Sequence, residues 1–100
     1  MLLAEIRVIP IGTSTTSLST YAARAIEVIR KRKLRHEITP FGTCIEAKDF
    51  DELSSVLKEI VNELRKVGVK RIAIDIALDI RFDKQITLRS KVISVESKLK

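Results

Sequence analysis

Apolar and polar residues alternate at the start of the chain, which is the pattern of a β-strand with one buried face. The strand predicted over Leu2 to Ile11 has an apolar face at period two, formed by Leu2, Ala4, Ile6 and Val8. Pro10 cannot donate to a ladder of hydrogen bonds, so it is expected near the strand end or at an unpaired position. Gly12 permits the turn that follows.

Three further stretches predict strands. They cover Leu34 to Phe41, Thr43 to Ala47 and Val69 to Asp83. The last of these alternates without a break and would be on the order of 45 Å long at ~3.3 Å per residue. Because that exceeds what the shorter strands can pair with, its far end is expected to pair with another subunit or to bulge.

Helical spacing of apolar residues predicts three helices. The first is capped by Ser17, with Thr16 as the alternative, and runs to about Arg32. The second is capped by Asp49 and ends at Gly68. The third covers about Ile86 to Leu99. The apolar stripe of the second helix is the most regular and consists of Phe50, Leu53, Leu57, Ile60, Leu64 and Val67.

The order of these elements predicts an α+β fold. Strand-helix-strand-strand-helix-strand is the ferredoxin-like βαββαβ arrangement, the split-βαβ sandwich, here with an extra C-terminal helix. The whole chain, residues 1–100, is expected to form one domain. Both long helices are expected to cover one face of the sheet and to leave the other face open.

The open face combines charged residues with small and apolar ones. Its members are expected to be Glu5, Arg7, Ile9, Cys44, Glu46, Arg71, Asp75, Asp79 and Arg81. A solvated antiparallel face is one explanation. Stacking of two such faces across subunits is the other, and the long last strand favours this assembly because buried charges must be paired.

Composition narrows the class of protein. The chain is 45% hydrophobic and 32% charged, which is typical of a soluble globular domain. It has no apolar run of the ~18 residues that a membrane span needs, and no signal-peptide pattern at its start. The single cysteine, Cys44, cannot pair within the chain. These features predict a cytoplasmic protein that makes no membrane contact.

Basic residues give a net charge of +6, concentrated around Arg30 to Arg35 and from Lys84 to Lys100. A nucleic-acid-binding module is therefore an alternative. The favoured interpretation is a cationic helix C-terminus and a solvated terminal helix. No basic patch is interleaved with aromatic residues, which make up only 4% of the chain.

Catalytic chemistry is poorly supported, and no enzymatic activity is predicted. His36 is the only histidine and is expected to be a packed core residue on the apolar side of its strand. Cys44 has no Cys or His partner at metal spacing, so no metal site and no cofactor are predicted. A Cys-His nucleophile pair remains open, since nothing in the sequence locates the two residues relative to one another. Gly12 stands alone, outside any phosphate-binding glycine motif.

Polar side chains point instead to binding of a small molecule. Seven hydroxyl residues fall within Thr13 to Thr20, and the backbone at a helix start favours an anion there. A self-solvating, capped loop explains them equally well. Glu46 and Asp79 either pair with neighbouring arginines or accept hydrogen bonds from a cationic or amidine-like ligand.

Four segments follow one another along the chain: Ile9-Pro10-Ile11-Gly12-Thr13, the hydroxyl-rich run to Tyr21, Phe41-Gly42-Thr43-Cys44-Ile45-Glu46, and Arg71 with Leu78-Asp79-Ile80-Arg81. In this order they resemble the small thiamine-binding protein family of the YkoF-like superfamily, many of whose members are known only as conserved proteins of unknown function. The resemblance implies a ferredoxin-like monomer, dimers that join sheets, and tetramers formed by stacking those sheets. It also implies binding, without catalysis, of thiamine or its hydroxymethylpyrimidine part.

The resemblance carries a set of ligand-binding residues to this chain. They are Thr13, Ser14, Thr15, Ser17, Thr43, Glu46, Asp79 and Arg81. Glu46 is expected to accept from the aminopyrimidine, and the hydroxyl loop is expected to cover the ring or the alcohol. This assignment makes the loop one wall of a pocket whose other walls are Glu46 and Asp79.

Overall fold

A computed structural model describes residues 1–99, so that Lys100, the last residue of the basic tail, lies outside the described residues. In chain order the elements are β1 (Leu2–Ile11), α1 (Ser19–Lys31), β2 (His36–Ile38), β3 (Thr43–Ala47), α2 (Phe50–Lys66), β4 (Arg71–Ile80) and α3 (Leu88–Glu96).

The four strands form one antiparallel sheet in the order β2-β3-β1-β4. β1 is therefore central, with β3 on one side and β4 on the other. This is the ferredoxin-like α+β architecture that the element order predicts, and the extra C-terminal helix is present as α3.

The core lies between α1, α2 and the even-numbered face of β1. Leu2, Ala4 and Ile6 on that face are almost fully buried, as are Ile45 on β3 and Ile60 on α2. Removing such side chains from water contributes ~25 cal/mol per Å² of apolar surface, which is the main stabilisation of the fold. The alternation along β1 and the stripe along α2 meet in this layer.

The second helix has the N-terminal cap and the C-terminal glycine that the sequence predicts. The Asp49 carboxylate accepts from the backbone N–H of Glu52 at 2.8 Å, and the Glu52 carboxylate accepts from the N–H of Lys48 at 2.7 Å. Gly68 follows the last turn with φ +93°, a conformation that glycine adopts without strain. The predicted cap and stop of this helix are both confirmed.

The second strand is shorter than predicted. Only His36–Ile38 belong to β2, whereas alternation predicts Leu34 to Phe41. The Thr39 side chain explains the early stop, because its hydroxyl oxygen accepts from the N–H groups of Phe41 at 3.3 Å and of Gly42 at 3.1 Å. These N–H groups therefore donate within the hairpin turn, and they do not pair with a neighbouring strand.

The cap predicted for the first helix is wrong. α1 begins at Ser19 and its N-cap is Leu18, with no side-chain hydrogen bond to the helix. Ser17 makes contacts within the loop: its N–H donates to the Thr15 hydroxyl at 3.1 Å. The hydroxyls that could cap the helix therefore stabilise the preceding turn.

The last strand is also shorter than predicted. β4 ends at Ile80, and each of its ten residues has a partner on β1, from Ile11↔Arg71 to Leu2↔Ile80. The expectation that β4 outruns its neighbours is therefore wrong. Its outer edge nevertheless has no neighbouring strand among residues 1–99, because β4 is the terminal strand of the sheet.

The second face of the sheet is not wholly open. The register confirms that Glu5, Arg7, Glu46, Asp75 and Asp79 share it. However, the start of α3 packs against β3 on this face, so that the Leu3 and Ile86 side chains are only 5% exposed. The sequence pattern cannot reveal this contact because the hydrophobic periodicity of α3 is weak and none of its own residues is buried.

Candidate functional site

Seven of the eight residues predicted to bind ligand fall into two groups at opposite ends of β1, whereas Thr43 lies opposite Ile6, in the middle of this strand. Glu46 and Asp79 both lie opposite Leu3, near the start of this strand. The loop from Thr13 to Ser17 follows Ile11, at its end. At ~3.3 Å per residue the groups are separated by roughly 25 Å. Within one chain, the loop and the two carboxylates therefore do not form the walls of a single pocket.

The two carboxylates are already engaged by α3. Glu46 is 9% exposed, and its Oε2 accepts from the backbone N–H of Leu88 at 3.0 Å. The Asp79 carboxylate forms an ion pair with Lys91. The first turn of α3 thus supplies the donor and the cation that a ligand would otherwise bring, and it also places a carboxylate at the positive end of a helix dipole.

Arg81 is likewise engaged, by Asp83. The guanidinium donates two hydrogen bonds to this carboxylate, at 2.7 Å from Nε and 2.5 Å from Nη2. These bonds lower the pKa of Asp83 to about 2, so its carboxylate stays charged at an acidity that would protonate an ordinary aspartate.

The hydroxyls of Thr13 and Ser17 bond within the loop and to the first residue of α1. Thr13 Oγ1 donates to the carbonyl of Thr15 at 2.8 Å, and the Ser17 and Ser19 hydroxyls are 3.4 Å apart. Ser14 is exposed. The loop therefore has the character of a self-bonded turn, although its remaining donor and acceptor capacity faces solvent.

An apolar cavity of about 280 Å³ lies between β1, α1 and the β2–β3 hairpin. Of the predicted residues only Thr43 lines it. Three other segments contribute lining residues. They are β1, with Val8 and Ile9, the start of α1, with Leu18 and Ala22, and the hairpin turn, with Thr39 and Phe41. The cavity is smaller than a drug-sized site and suits a single substituted ring.

Sequence reasoning missed most of this lining. The available signal was the tight connection Phe41-Gly42-Thr43, because a turn at this place brings the hairpin against the second half of β1. Gly42 is required there: a Cβ on this residue would lie 2.8 Å from the backbone oxygen of Ile6. Phe41, 75% exposed, is then held at the mouth of the cavity.

His36 and Cys44 lie on opposite faces of the sheet. His36 pairs with Ile45 on the helix-covered face and is half-buried, with Nδ1 2.9 Å from the carbonyl oxygen of Leu34. Cys44 pairs with Glu5 and Glu37 on the other face. The two side chains therefore do not form a nucleophile pair within one chain.

Residues 1–99 contain no group of three or more His, Cys, Asp or Glu side chains positioned to hold a metal ion. A helix long and apolar enough to cross a membrane is also absent from this part of the chain.

The sequence matches one protein family and several relatives along nearly its whole length. The profile of the thiamine-binding protein family matches residues 4–96. A UPF0045 protein of Methanothermobacter thermautotrophicus is 41% identical, over 99% of this chain and 100% of the relative. The UPF0045 protein YqgV of Bacillus subtilis is 35% identical, over 99% and 98% of the two chains.

Solved structures agree with these matches. The hypothetical protein MJ1052 of Methanocaldococcus jannaschii superposes with a TM-score of 0.83 at 33% identity, covering 95% of each chain. TM0486 of Thermotoga maritima, a candidate thiamine biosynthesis/salvage protein, superposes with a TM-score of 0.79 at 26% identity, over 94% of this chain and 97% of that one. The chain belongs to the thiamine-binding protein family.

Cys44 is predicted to react slowly with alkylating reagents. Burial raises the pKa of its thiol, and the nearby carboxylates of Glu5 and Glu37 raise it further because they repel the thiolate. The thiolate fraction at pH 8 is therefore small. Replacing Glu5, whose Oε2 lies 3.9 Å from Sγ, by glutamine should accelerate alkylation with iodoacetamide by roughly twofold or more. Glu27→Gln, on the exposed side of α1, is the control, and equal rates in the two variants would contradict the assignment.

The Glu46→Ala variant is predicted to loosen α3. It leaves the N–H of Leu88 without its carboxylate acceptor, which costs about 1–3 kcal/mol if the group stays away from water. Amide hydrogen exchange should therefore quicken in the first turn of α3 and remain unchanged in α2. Glu96→Ala, at the exposed end of the same helix, provides the comparison. Unaltered exchange at residues 88–91 in Glu46→Ala would mean that this contact does not hold α3.

Proposed function

We propose that this protein binds thiamine, or the hydroxymethylpyrimidine part of thiamine, without transforming it. The family match supports a ligand of this class. The observation that carries the proposal within this chain is the cavity beside Thr43, because three of the four segments that resemble the family contribute to its lining, through Ile9, Leu18 and residues 41–43. Its apolar walls suit an uncharged pyrimidine ring better than a free cation or a polyphosphate.

A nucleic-acid-binding role has less support. Ferredoxin-like sheets that bind RNA stack bases on aromatic residues of the strands. The four strands, as described, contain no Phe, Tyr or Trp. Part of the basic charge lies in the last turns of α1 and α2, at Arg30, Lys31, Arg65 and Lys66, where cations interact favourably with the helix dipole. A cytoplasmic location is proposed on the ground that a reducing compartment keeps a lone cysteine such as Cys44 free.

Filling the cavity should abolish ligand binding. Ala22 lines the cavity and Ala23, the next residue, does not, although both are exposed on α1. Ala22→Phe should therefore remove the heat of binding of thiamine and of hydroxymethylpyrimidine in calorimetry, whereas Ala23→Phe should retain it. Both changes cost only ~0.5 kcal/mol in helix propensity, so both variants should fold.

The calorimetry is decisive in either direction. Protein near 100 μM, an order-of-magnitude choice, detects affinities down to the millimolar range. Absence of heat with thiamine, its phosphates and hydroxymethylpyrimidine would contradict the proposed function. Binding that survives Ala22→Phe would move the site to another part of the molecule.

We also propose that two chains associate through the outer edge of β4. This edge carries exposed apolar residues on its even-numbered face: Ile76 (40%), Leu78 (44%) and Ile80 (36%). A two-fold axis at Leu78 would put Ile76 opposite Ile80 and, on the other face, Asp75 opposite Arg81. Shifting the axis to Ala77 would put Asp75 opposite Asp79, and directly opposed like charges destabilise a sheet.

Sedimentation tests this association. The wild-type chain, 11.3 kDa, is expected to sediment as a dimer or tetramer at micromolar concentration. Leu78→Lys should shift it to the monomer, since a buried unpaired lysine at the two-fold axis would face its own copy. Val67→Lys is the matched control, because Val67 is 41% exposed at the end of α2, away from the edge. A wild-type monomer would refute the association.

A further inference from the structure

The two sides of β1 are paired to different extents. Its pairing with β4 runs to Ile11, but its pairing with β3 ends where Ile6 meets Thr43. Beyond Ile6, the side of β1 that faces the hairpin has no strand partner among residues 1–99. This unpaired stretch borders the apolar cavity, whose lining includes Val8 and Ile9.

The orientation of the backbone along this stretch follows from the geometry at Gly42. The close approach of this residue to the Ile6 carbonyl oxygen shows that Ile6 points its backbone groups toward β3. In an antiparallel sheet, the N–H and C=O of one residue point the same way, and this direction alternates along the strand. The N–H and C=O of Val8, two residues later, therefore point to the same side, into the gap beyond β3.

The hairpin does not supply the missing partner. Continuing the register by two residues would bring Phe41 opposite Val8. Yet the N–H of Phe41 donates to the Thr39 hydroxyl, and Phe41 lies outside β3. Pro10, the next residue oriented toward the gap, has no N–H to satisfy. Among residues 1–99 no backbone hydrogen bond joins Val8 to the hairpin, so Val8 is left with one donor and one acceptor, side by side at the wall of the cavity.

We propose that Val8 recognises the ligand through its main chain, with the N–H donating to a ring nitrogen and the C=O accepting from an adjacent exocyclic amine. This inference rests on the proposed function and names the part of the ligand that is read: the amino group and neighbouring ring nitrogen of a 4-aminopyrimidine. The ring completes the sheet at the point where β3 stops. The apolar walls then cover its faces and methyl group, and the hydroxyl of Thr43 lies in the same cavity.

A small ring fits this edge better than another strand. An added strand needs a run of alternating donors and acceptors. The unpaired side of β1 offers only one complete pair, at Val8, before Pro10 removes a donor. The hairpin and α1 also enclose the gap, and the cavity of about 280 Å³ matches the size of a single ring more closely than that of a peptide.

The test is an NMR titration of the ¹⁵N-labelled protein with 4-amino-5-hydroxymethyl-2-methylpyrimidine. The amide proton of Val8 should move downfield and exchange more slowly when the probe binds. A second probe carries a methyl group in place of the amine, which keeps the shape and removes the donor. It should bind about tenfold more weakly, because the Val8 C=O is then buried without a partner. Ala22→Phe should lose the response of Val8, and Ala23→Phe should keep it.

The outcomes separate this inference from the proposed function. If the aminopyrimidine binds but leaves the Val8 amide unchanged, or binds no better than the methyl analogue, main-chain recognition at Val8 is overturned and the proposed function stands. If neither thiamine nor the pyrimidine binds, both are overturned. A Val8 amide that is already protected without probe, to a degree that rises with protein concentration, would mean that a second chain occupies the edge, which also overturns the inference.

Discussion

The unequal pairing of β1 is the constraint on which the rest of the molecule depends. Its first half is hydrogen-bonded on both sides and buries Leu2, Ala4 and Ile6 under the helices. Its second half is bonded only to β4. On the other side, the Thr39 hydroxyl accepts from the N–H groups of Phe41 and Gly42, so these residues form a turn and do not extend β3 along β1. The same turn therefore sets the length of β2, the start of β3, the position of Gly42 and the existence of the cavity.

Sequence periodicity predicted the regular part of this arrangement well. β1 and β3 have the predicted bounds, and the cap of α2 at Asp49 and its stop at Gly68 are as expected, because each depends on neighbours within a few residues. The error in β2 arises where a side chain competes with the ladder. Alternation from Leu34 to Phe41 carries no sign that one threonine hydroxyl will capture two backbone N–H groups.

The candidate site was less predictable than the fold, since it depends on contacts between distant segments. The resemblance directs attention to Glu46 and Asp79 because of their charge. In the fold, both are satisfied by α3, forty-two and twelve residues away in sequence. Thr43 could be predicted from the same motif, whereas Val8 could not: an apolar residue in a strand reveals nothing about whether its backbone has a partner.

Whether a polar group already has a partner decides how much binding energy a ligand can gain from it. A polar group that already has a partner gains little from a ligand, because a new hydrogen bond only replaces an existing one. At the start of β1 the carboxylates are bonded to Leu88 and Lys91, so a ligand there must first displace α3. At the other end, the donor and acceptor of Val8 have no strand partner and adjoin apolar walls. A ligand can bind at that end without breaking a bond of the protein, so the cavity is the stronger candidate site, although the carboxylates are the more conspicuous residues in the sequence.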